Sequence, residues 1–303
     1  MRKLYVRIGG GLGNQMFNYA VGKAIAERTG RKLVLDDLSE FVVIHDRRYG
    51  LDNFVGPRQT PRARPLQFLV FLAARVLQHF GFDKCRAFLR FFGYSCFLAD
   101  FSAEWAKAFA PMFKTLCAGG GGQNAYVAGC YGYMTYIPAR SELRREFALS
   151  GEMSRASKEL QRRINDAGES SASLHVRRTD YLPPSEGGWG VVLDPAYYDR
   201  AIERMRALVP NVRWFVFSDD IAWCREHFAS LQNAVFVEGN EKTPCEDIAL
   251  MARCRNHIIA NSTFSWWGAY LASDEGHTIC PRQWFRDVET LPGVMVPEDW
   301  IRL

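Results

Sequence analysis

The chain has 303 residues, 48% of them hydrophobic and 23% charged, with a net charge of +5. That composition excludes a disordered chain and allows two domains of about 150 residues each. The charge is mild and no dense basic tract is interleaved with stacking aromatics, so nucleic acid is not an expected partner. The eight cysteines are scattered, with no CxxC pair and no repeated spacing. Neither a zinc site nor a disulfide framework is therefore expected, and a reducing, cytoplasmic compartment is. Met1 runs straight into a strand pattern, which leaves no room for a signal peptide or an anchor.

In chain order, Leu4, Val6 and Ile8 alternate onto one face of a strand over residues 3–8, which breaks into Gly9-Gly10-Gly11-Leu12-Gly13-Asn14-Gln15. An amphipathic helix is predicted from Asn14 to Thr29, stopped by Gly30, and a strand over Lys32–Asp37 completes a βαβ opening. A glycine loop feeding a helix exposes backbone N–H groups beside a positive helix end, so an anion or sugar is expected near Gly11–Gln15. It also admits a dinucleotide reading, with Asp36 and Asp37 at the right distance for a ribose, although Asn14 stands where the third glycine belongs. The plainer alternative is a tight turn feeding a helix.

The βα rhythm then breaks. A Pro/Arg-rich linker from Pro57 to Pro65 leads into two apolar runs at helical spacing, Leu66–Phe80 and Cys85–Phe92, with Arg75, Lys84, Arg86 and Arg90 interspersed. Neither run is long enough to span a bilayer. Two readings stay open, a buried helical pair or a basic amphipathic surface over residues 62–92 in peripheral contact with the inner face of a membrane. Glycines 119–122 mark a flexible loop, and Asn124–Gly129 reads as a strand.

The second half alternates regularly. Helices are predicted over Met153–Ala167, from the Asp194 N-cap and Pro195 to Leu208, after Ser218-Asp219-Asp220 through His227, from a Thr243–Glu246 capping box to Cys254, and over Trp266–Ala272. Strands fall at Ala172–Val176, Trp214–Phe217, Val235–Val237, His257–Ala260 and Thr278–Cys280. The alternation predicts a parallel sheet with helices on both faces and ligands beyond the strands' C-terminal ends.

Three of those strands finish in polar clusters, His175/Arg177/Arg178/Asp180, Ser218/Asp219/Asp220 and Asn261/Ser262/Thr263/Ser265. Parallel strands put all three on one edge. Two adjacent guanidiniums repel each other, and their forked donors match phosphate oxygens, so the arginine pair reads as the holder of a phosphate or diphosphate. The bland alternative is a solvated strand end with Arg178 paired to Asp180. Asp219 and Asp220 serve equally well as ordinary helix caps, and Ser262–Ser265, with Phe264 among them, reads as a cap or as a phosphate turn. Trp266 and Trp267 are assigned to the core. No Asp-x-Asp pair is present to hold a metal on a diphosphate, so the arginines would take the metal's role.

Together these features resemble the α-1,2-fucosyltransferases of glycosyltransferase family 11. The resemblance rests on Gly-Gly-Leu-Gly-Asn-Gln-Met-Phe at 10–17, His-Val-Arg-Arg-Thr-Asp-Tyr at 175–181, Phe-Ser-Asp-Asp at 217–220 and Ala-Asn-Ser-Thr-Phe-Ser-Trp-Trp-Gly-Ala at 260–269. Thr179 departs from the glycine usual in bacterial members, and residues 57–123 carry no likeness. The resemblance implies an α/β, GT-B-like fold of two Rossmann-like domains facing across a cleft, residues 1–165 on the acceptor side with a helical insertion and 166–303 binding the donor. It implies an inverting, metal-independent transfer of L-fucose from GDP-fucose to the 2-hydroxyl of a terminal galactose on a glycan acceptor, with no cofactor. By the same resemblance Arg177 and Arg178 hold the diphosphate, Asp219 contacts the nucleoside, and Ser262, Thr263, Phe264 and Ser265 contact phosphates and guanosine. Gly11, Gly13, His175 and Asn261 join the donor site, and Asn14 approaches the sugar-phosphate linkage. Asp180 and Glu186 are the candidate general bases. His175 alternates to the side of Arg177, where a lone strand histidine is more often structural. The competing class is an NAD-dependent or other nucleotide-binding α/β enzyme that uses the Gly9–Asn14 turn.

Overall fold

The computed structural model describes residues 1–43, 48–98, 111, 113–115, 117–118, 123–129, 134–181, 191–240, 242–285, 288–289 and 293–303. The chain divides into two α/β units, Met1–Ser150 and Gly151–Leu303.

The first unit opens with β1 (Lys3–Arg7), α1 (Leu12–Thr29) and β2 (Lys32–Asp36), the βαβ start read from the sequence. Helix α1 begins before the expected Asn14, because Gly11 already serves as its N-cap. It ends where Gly30 turns left-handed, at φ 62°, and returns its N–H to the carbonyls of Ala26 and Glu27, a conformation that costs glycine nothing. There follow α2 (Ser39–Val43), α3 (Val55–Gln59), α4 (Pro65–Gln78), α5 (Phe82–Phe91), β3 (Tyr94–Leu98), β4 (Asn124–Ala128) and α6 (Arg140–Glu146). The sheet is parallel throughout, in the order β2-β1-β4-β3.

Helix α1 lies so close to β1 that a Cβ on Gly22 would stand 2.6 Å from a Val6 methyl. The α4/α5 pair packs on a row of residues in register across the sheet, Val34, Tyr5, Tyr126 and Cys96. Phe71 of α4 is fully buried on that row, with ring centroids 5.1 Å from Tyr5, 5.3 Å from Tyr94 and 4.4 Å from Tyr126. The insertion is therefore a covering layer of the sheet. Its inner face is the buried pair of the first reading, while its outer face is exposed. The linker reading of Pro57–Pro65 gives way to more structure. Val55–Gln59 is helical, and the next residues pair with the edge of β2, Leu35 N–H donating to Pro61 O and Ala63 N–H to Leu35 O, which satisfies a strand edge that would otherwise be open. The glycine run 119–122 lies outside the described residues.

The second unit carries α7 (Arg155–Ala167), β5 (Ser171–Val176), α8 (Pro195–Leu208), β6 (Arg213–Ser218), α9 (Ile221–His227), β7 (Ala234–Phe236), α10 (Pro244–Met251), β8 (Asn256–Ile258), α11 (Thr263–Tyr270), β9 (Thr278–Cys280), an antiparallel pair β10 (Gln283–Phe285) and β11 (Val288–Glu289), and β12 (Ile301–Arg302). Its parallel sheet has the order β12-β9-β8-β5-β6-β7. From β5 the chain builds outward to β6 and β7 on one side, then crosses to β8, β9 and β12 on the other. This is doubly wound topology, with its switch point between β5 and β8.

Two expectations are corrected here. The division falls at Ser150/Gly151 and not at 165/166, because α7 packs on β5 and α10 of the second unit. Thr243 and Glu246 do not form a capping box, since the Thr243 side chain makes no cap bond. Glu246 instead accepts the N–H of Ser154, the N-cap of α7, at 3.1 Å. The carboxylate thereby secures α7 to its own unit. The last strand, β12, was also not expected, being only two residues long.

Candidate functional site

Strands β8, β5 and β6 are neighbours at the centre of the second sheet, so the three polar strand ends do fall side by side. Strand β5 is buried along its whole length and stops at Val176; a single 3-10 turn, Thr179–Tyr181, follows two residues later. Asp219, at the end of β6, organises that exit. Its Oδ1 accepts the N–H of Arg178 at 2.9 Å, and its Oδ2 accepts the Thr179 N–H at 3.1 Å and the Thr179 hydroxyl at 2.6 Å. The Arg177 Nε lies 3.4 Å from the same Oδ2. A carboxylate so engaged shapes the arginine loop, which differs from the nucleoside contact that the family resemblance implied for it. Thr179, where a glycine was the usual residue, contributes a hydroxyl bond that glycine would lack.

The two arginines part company at this loop. Alternation along β5 continues past its end, so Arg178 follows Leu174 and Val176 onto the face covered by α9. There its Nε is 3.2 Å from Asp220 Oδ2, and its guanidinium sits 4.1 Å from the centroid of Trp223. His227 stacks on the same indole, at 4.5 Å and 10°. Asp220 also caps α9, its Oδ1 accepting the N–H of Trp223 at 3.2 Å, so the capping reading fits Asp220 as it does not fit Asp219. Arg177 stays on the opposite face with His175, its side chain about a quarter exposed at 23%. Trp223 is the residue that motif reading passed over. Its signal was its place three residues after an N-capping aspartate, where the first helical turn faces back toward the strand end.

Across the switch point, Asn261 leads from β8 into α11. Its Nδ2 donates to the carbonyls of Val191 at 2.9 Å and Trp284 at 3.1 Å, and its own carbonyl accepts the Tyr181 hydroxyl at 3.2 Å. Asn261 thus ties the turn together. Ser262 is the N-cap of α11, its Oγ accepting the N–H of Phe264 at 3.3 Å, while the Ser265 hydroxyl turns back onto the Ser262 carbonyl. Thr263 and Phe264, in the first helical turn, are half-buried at the positive end of the helix. The Phe264 ring lies 5.6 Å from that of His175. His175 is 3% exposed, and its Nδ1 has no hydrogen-bond partner among the described residues. Burial, with the Arg177 guanidinium beside it, pushes the imidazole down to about 3 against an opposing pull from Asp219, so it is neutral at physiological pH. Trp266 and Trp267 are core, as expected. Glu186 and the side chain of Asp180 lie outside the described residues.

Gly11, Gly13 and Asn14 belong to the first unit. Gly10 is left-handed, at φ 72°, and a Cβ there would stand 2.9 Å from Asn14 Nδ2, so both residues are fixed by the same tight loop. Gly13 is buried and Asn14 half-buried in the first turn of α1. The loop is held by Gln15, whose amide donates to the carbonyls of Gly10 and Arg48 and accepts the N–H of Gly50, at 2.8–2.9 Å. The carboxylates suggested for a ribose are otherwise engaged. Asp36 is 1% exposed and accepts from the Ser39 N–H and hydroxyl and from the Tyr126 hydroxyl. Asp37 is paired with Arg62 at 3.1 Å. The dinucleotide reading loses its ribose ligand.

A doubly wound parallel sheet with Arg177 and the Ser262-capped N-terminus of α11 at its C-terminal edge defines the second α/β unit. Residues 121–300 match the family described as Glycosyl transferase family 11. The alpha-1,2-colitosyltransferase of Escherichia coli is 30% identical over 100% of this chain and 99% of its own. The chain belongs to glycosyl transferase family 11. It is also similar to the O-antigen biosynthesis glycosyltransferase WbnK of Escherichia coli, 29% identical over 93% of this chain and 95% of that one. Galactoside alpha-(1,2)-fucosyltransferase 2 of Sus scrofa is 34% identical over 46% of this chain and 43% of its own. Among solved structures, the fucosyltransferase NodZ from Bradyrhizobium superposes with a TM-score of 0.56 over 89% of this chain and 93% of that chain, at 18% identity. The fold is of the GT-B type that these fucosyltransferases share.

Proposed function

We propose that the protein is an inverting, metal-independent α-1,2-fucosyltransferase that moves L-fucose from GDP-β-L-fucose to the 2-hydroxyl of a terminal galactose on a glycan. The observation that carries this reading is the meeting, at one switch point, of the partly exposed Arg177 with the Ser262-capped N-terminus of α11. Both present positive charge where a diphosphate would lie. Names of relatives add to it, since galactoside α-1,2-fucosylation is the stated activity of one.

In such a transfer the bond from the sugar to the diphosphate lengthens ahead of the new one, and negative charge grows on the departing GDP. Arg177 and the helix N-terminus are the donors placed to stabilise that charge. Arg178 acts differently, since Asp220 and Trp223 hold it in place and it braces the loop from behind. Neutral His175 adds no second positive charge beside the Arg177 guanidinium. Asp180 is assigned as the base that takes the acceptor proton. A second reading, transfer of colitose in the same linkage, is favoured by the relative matched along its full length.

The test is product linkage analysis after incubation with galactosides and either GDP-fucose or GDP-colitose, in the presence of a metal chelator. A 2-linked fucosyl product is expected. A product only from the colitose donor would replace the first reading with the second, and thermal stabilisation by NAD but not by GDP would overturn both.

A further inference from the structure

The described residues contain nine exposed large apolar side chains, and they are not scattered. Six lie on or directly beside the α4/α5 pair, Leu66, Leu69, Val76, Phe80, Phe91 and Phe92, with Phe91 84% and Leu66 73% exposed. Two more, Leu38 and Val42, stand on or beside α2, which packs against α4. Leu66, Leu69, Ala73 and Val76 follow the spacing that lines one side of a helix, turned away from Phe71 and Ala74, which enter the core with Val70 at the border between the two sides. The helix pair is therefore apolar on two faces, one packed on the sheet and the other facing solvent. Solvent-facing clusters of this kind mark interaction sites.

Charge says what kind of partner fits. Residues 62–92 hold six basic residues against one acidic, Asp83, and so account for +5, as much as the whole chain's net charge. Arg62 and Arg75 are taken up by carboxylates, Arg62 by Asp37 and Asp52, Arg75 by Glu40. Arg64, Lys84 and Arg90 are exposed. A second copy of the chain would bring the same positive surface against itself, which like-charge repulsion disfavours. An anionic lipid surface accepts both features at once, apolar side chains below the headgroups and basic ones among them. At about 1.5 Å per residue, α4 is about 21 Å long. No helix among the described residues is long and apolar enough to cross a membrane.

We propose that the outer face of α4 and α5 docks the protein on the surface of an anionic bilayer, lying in the interface without spanning it. The inference stands on this surface alone and is independent of the donor assignment. The test is sedimentation of the full chain with vesicles of phosphatidylglycerol and phosphatidylethanolamine, set against vesicles of phosphatidylcholine. Binding to the anionic vesicles is expected, weakening as salt is raised. Each lost basic side chain should cost about fivefold in affinity, so reversing two charges in K84E/R90E should cost at least about 25-fold. L69S/F91S should weaken binding about tenfold or more at constant charge. A cooperative melting transition like that of the wild type keeps these variants interpretable, since the substituted side chains are exposed. Failure to bind anionic vesicles, binding that neither variant alters, or a dimer in light scattering that L69S dissolves without lipid would each overturn the proposal.

Discussion

The two units expose the same structural feature, the C-terminal edge of a parallel sheet, and treat it in opposite ways. In the first, the charged strand ends are closed by internal pairing. Arg7 ends β1 and Asp36 ends β2, and both are over 90% buried. Arg7 and Arg75 share Glu40, at 3.4 and 2.7 Å, and Arg7 donates to Gln78 at 2.8 Å. In the second, Arg177 and Asp219 sit at equivalent strand ends with side chains about a fifth exposed, 23% and 17%. Their pairing fixes a loop without covering it. Strand-end charge is thus no guide to function by itself. What distinguishes the two edges is whether the charges satisfy one another in the interior or pair at the surface.

The largest effect is expected where the closed edge is broken. Removing one partner from a buried ion pair leaves its counter-charges stranded, at about 3–5 kcal/mol. Glu40→Ala strands two guanidiniums and should destabilise the protein by that amount in chemical denaturation. A loss below about 1 kcal/mol, the range of solvated pairs, would mean that this edge is as open as the other. Next comes Arg177→Ala at the open edge. Loss of a donor to developing charge costs about 2.7–4 kcal/mol of transition-state stabilisation, so kcat should fall between about 100- and 1,000-fold, with little change in stability. An unchanged kcat with only a raised acceptor KM would remove Arg177 from the leaving-group site.

The acid side of the stability profile tests the comparison more gently. His175 titrates at about 3 in the fold and near 6.5 when unfolded. Between those values the unfolded chain binds a proton that the native state refuses, so stability must rise with pH there and fall as pH drops below about 6.5. His175→Phe should flatten the profile between about pH 4 and 6 by up to one proton's slope. An unaltered slope would place the imidazole in contact with water.

Much of the second unit was legible in the sequence because its signals are local. Asp194-Pro195 opens a helix that ends at Leu208, and the spacing of strands and helices gave the parallel sheet, so three polar strand ends had to share an edge. What escaped was whatever depended on partners distant in sequence. Locally Asp219 reads as a ligand contact or a helix cap, and nothing local shows that it also accepts the N–H groups of Arg178 and Thr179, some forty residues earlier. Glu246 was given to its own helix, yet serves Ser154. Strand β3 follows Phe91-Phe92-Gly93 directly, where five residues of alternation are drowned by the apolar helix before them. Two readings of the α4/α5 pair stay open in the sequence because helical periodicity reports one buried face and cannot say that a second apolar face remains outside.

The smallest expected effect bears on how the open edge is kept open. Thr179 gives Asp219 two of the hydrogen bonds that fix the loop, and the hydroxyl bond, at 2.6 Å, is the shorter. Thr179→Gly removes that bond and loosens the backbone, while the N–H to Asp219 is retained. A single hydrogen bond to a charged group is worth about 1.5–3 kcal/mol, and less at an exposed position such as Thr179. Glycine adds conformational freedom that must be lost again when ligand binds, at about 0.5–1 kcal/mol. The loop lies outside both cores, so these costs fall on binding more than on folding. The dissociation constant for GDP, measured by calorimetry, should rise by about three- to tenfold, with the melting temperature nearly unchanged. The reverse result, a lower melting temperature with GDP binding intact, would mean that the Thr179–Asp219 contact belongs to the core of the second unit, and that its edge is closed by internal pairing as the first one is.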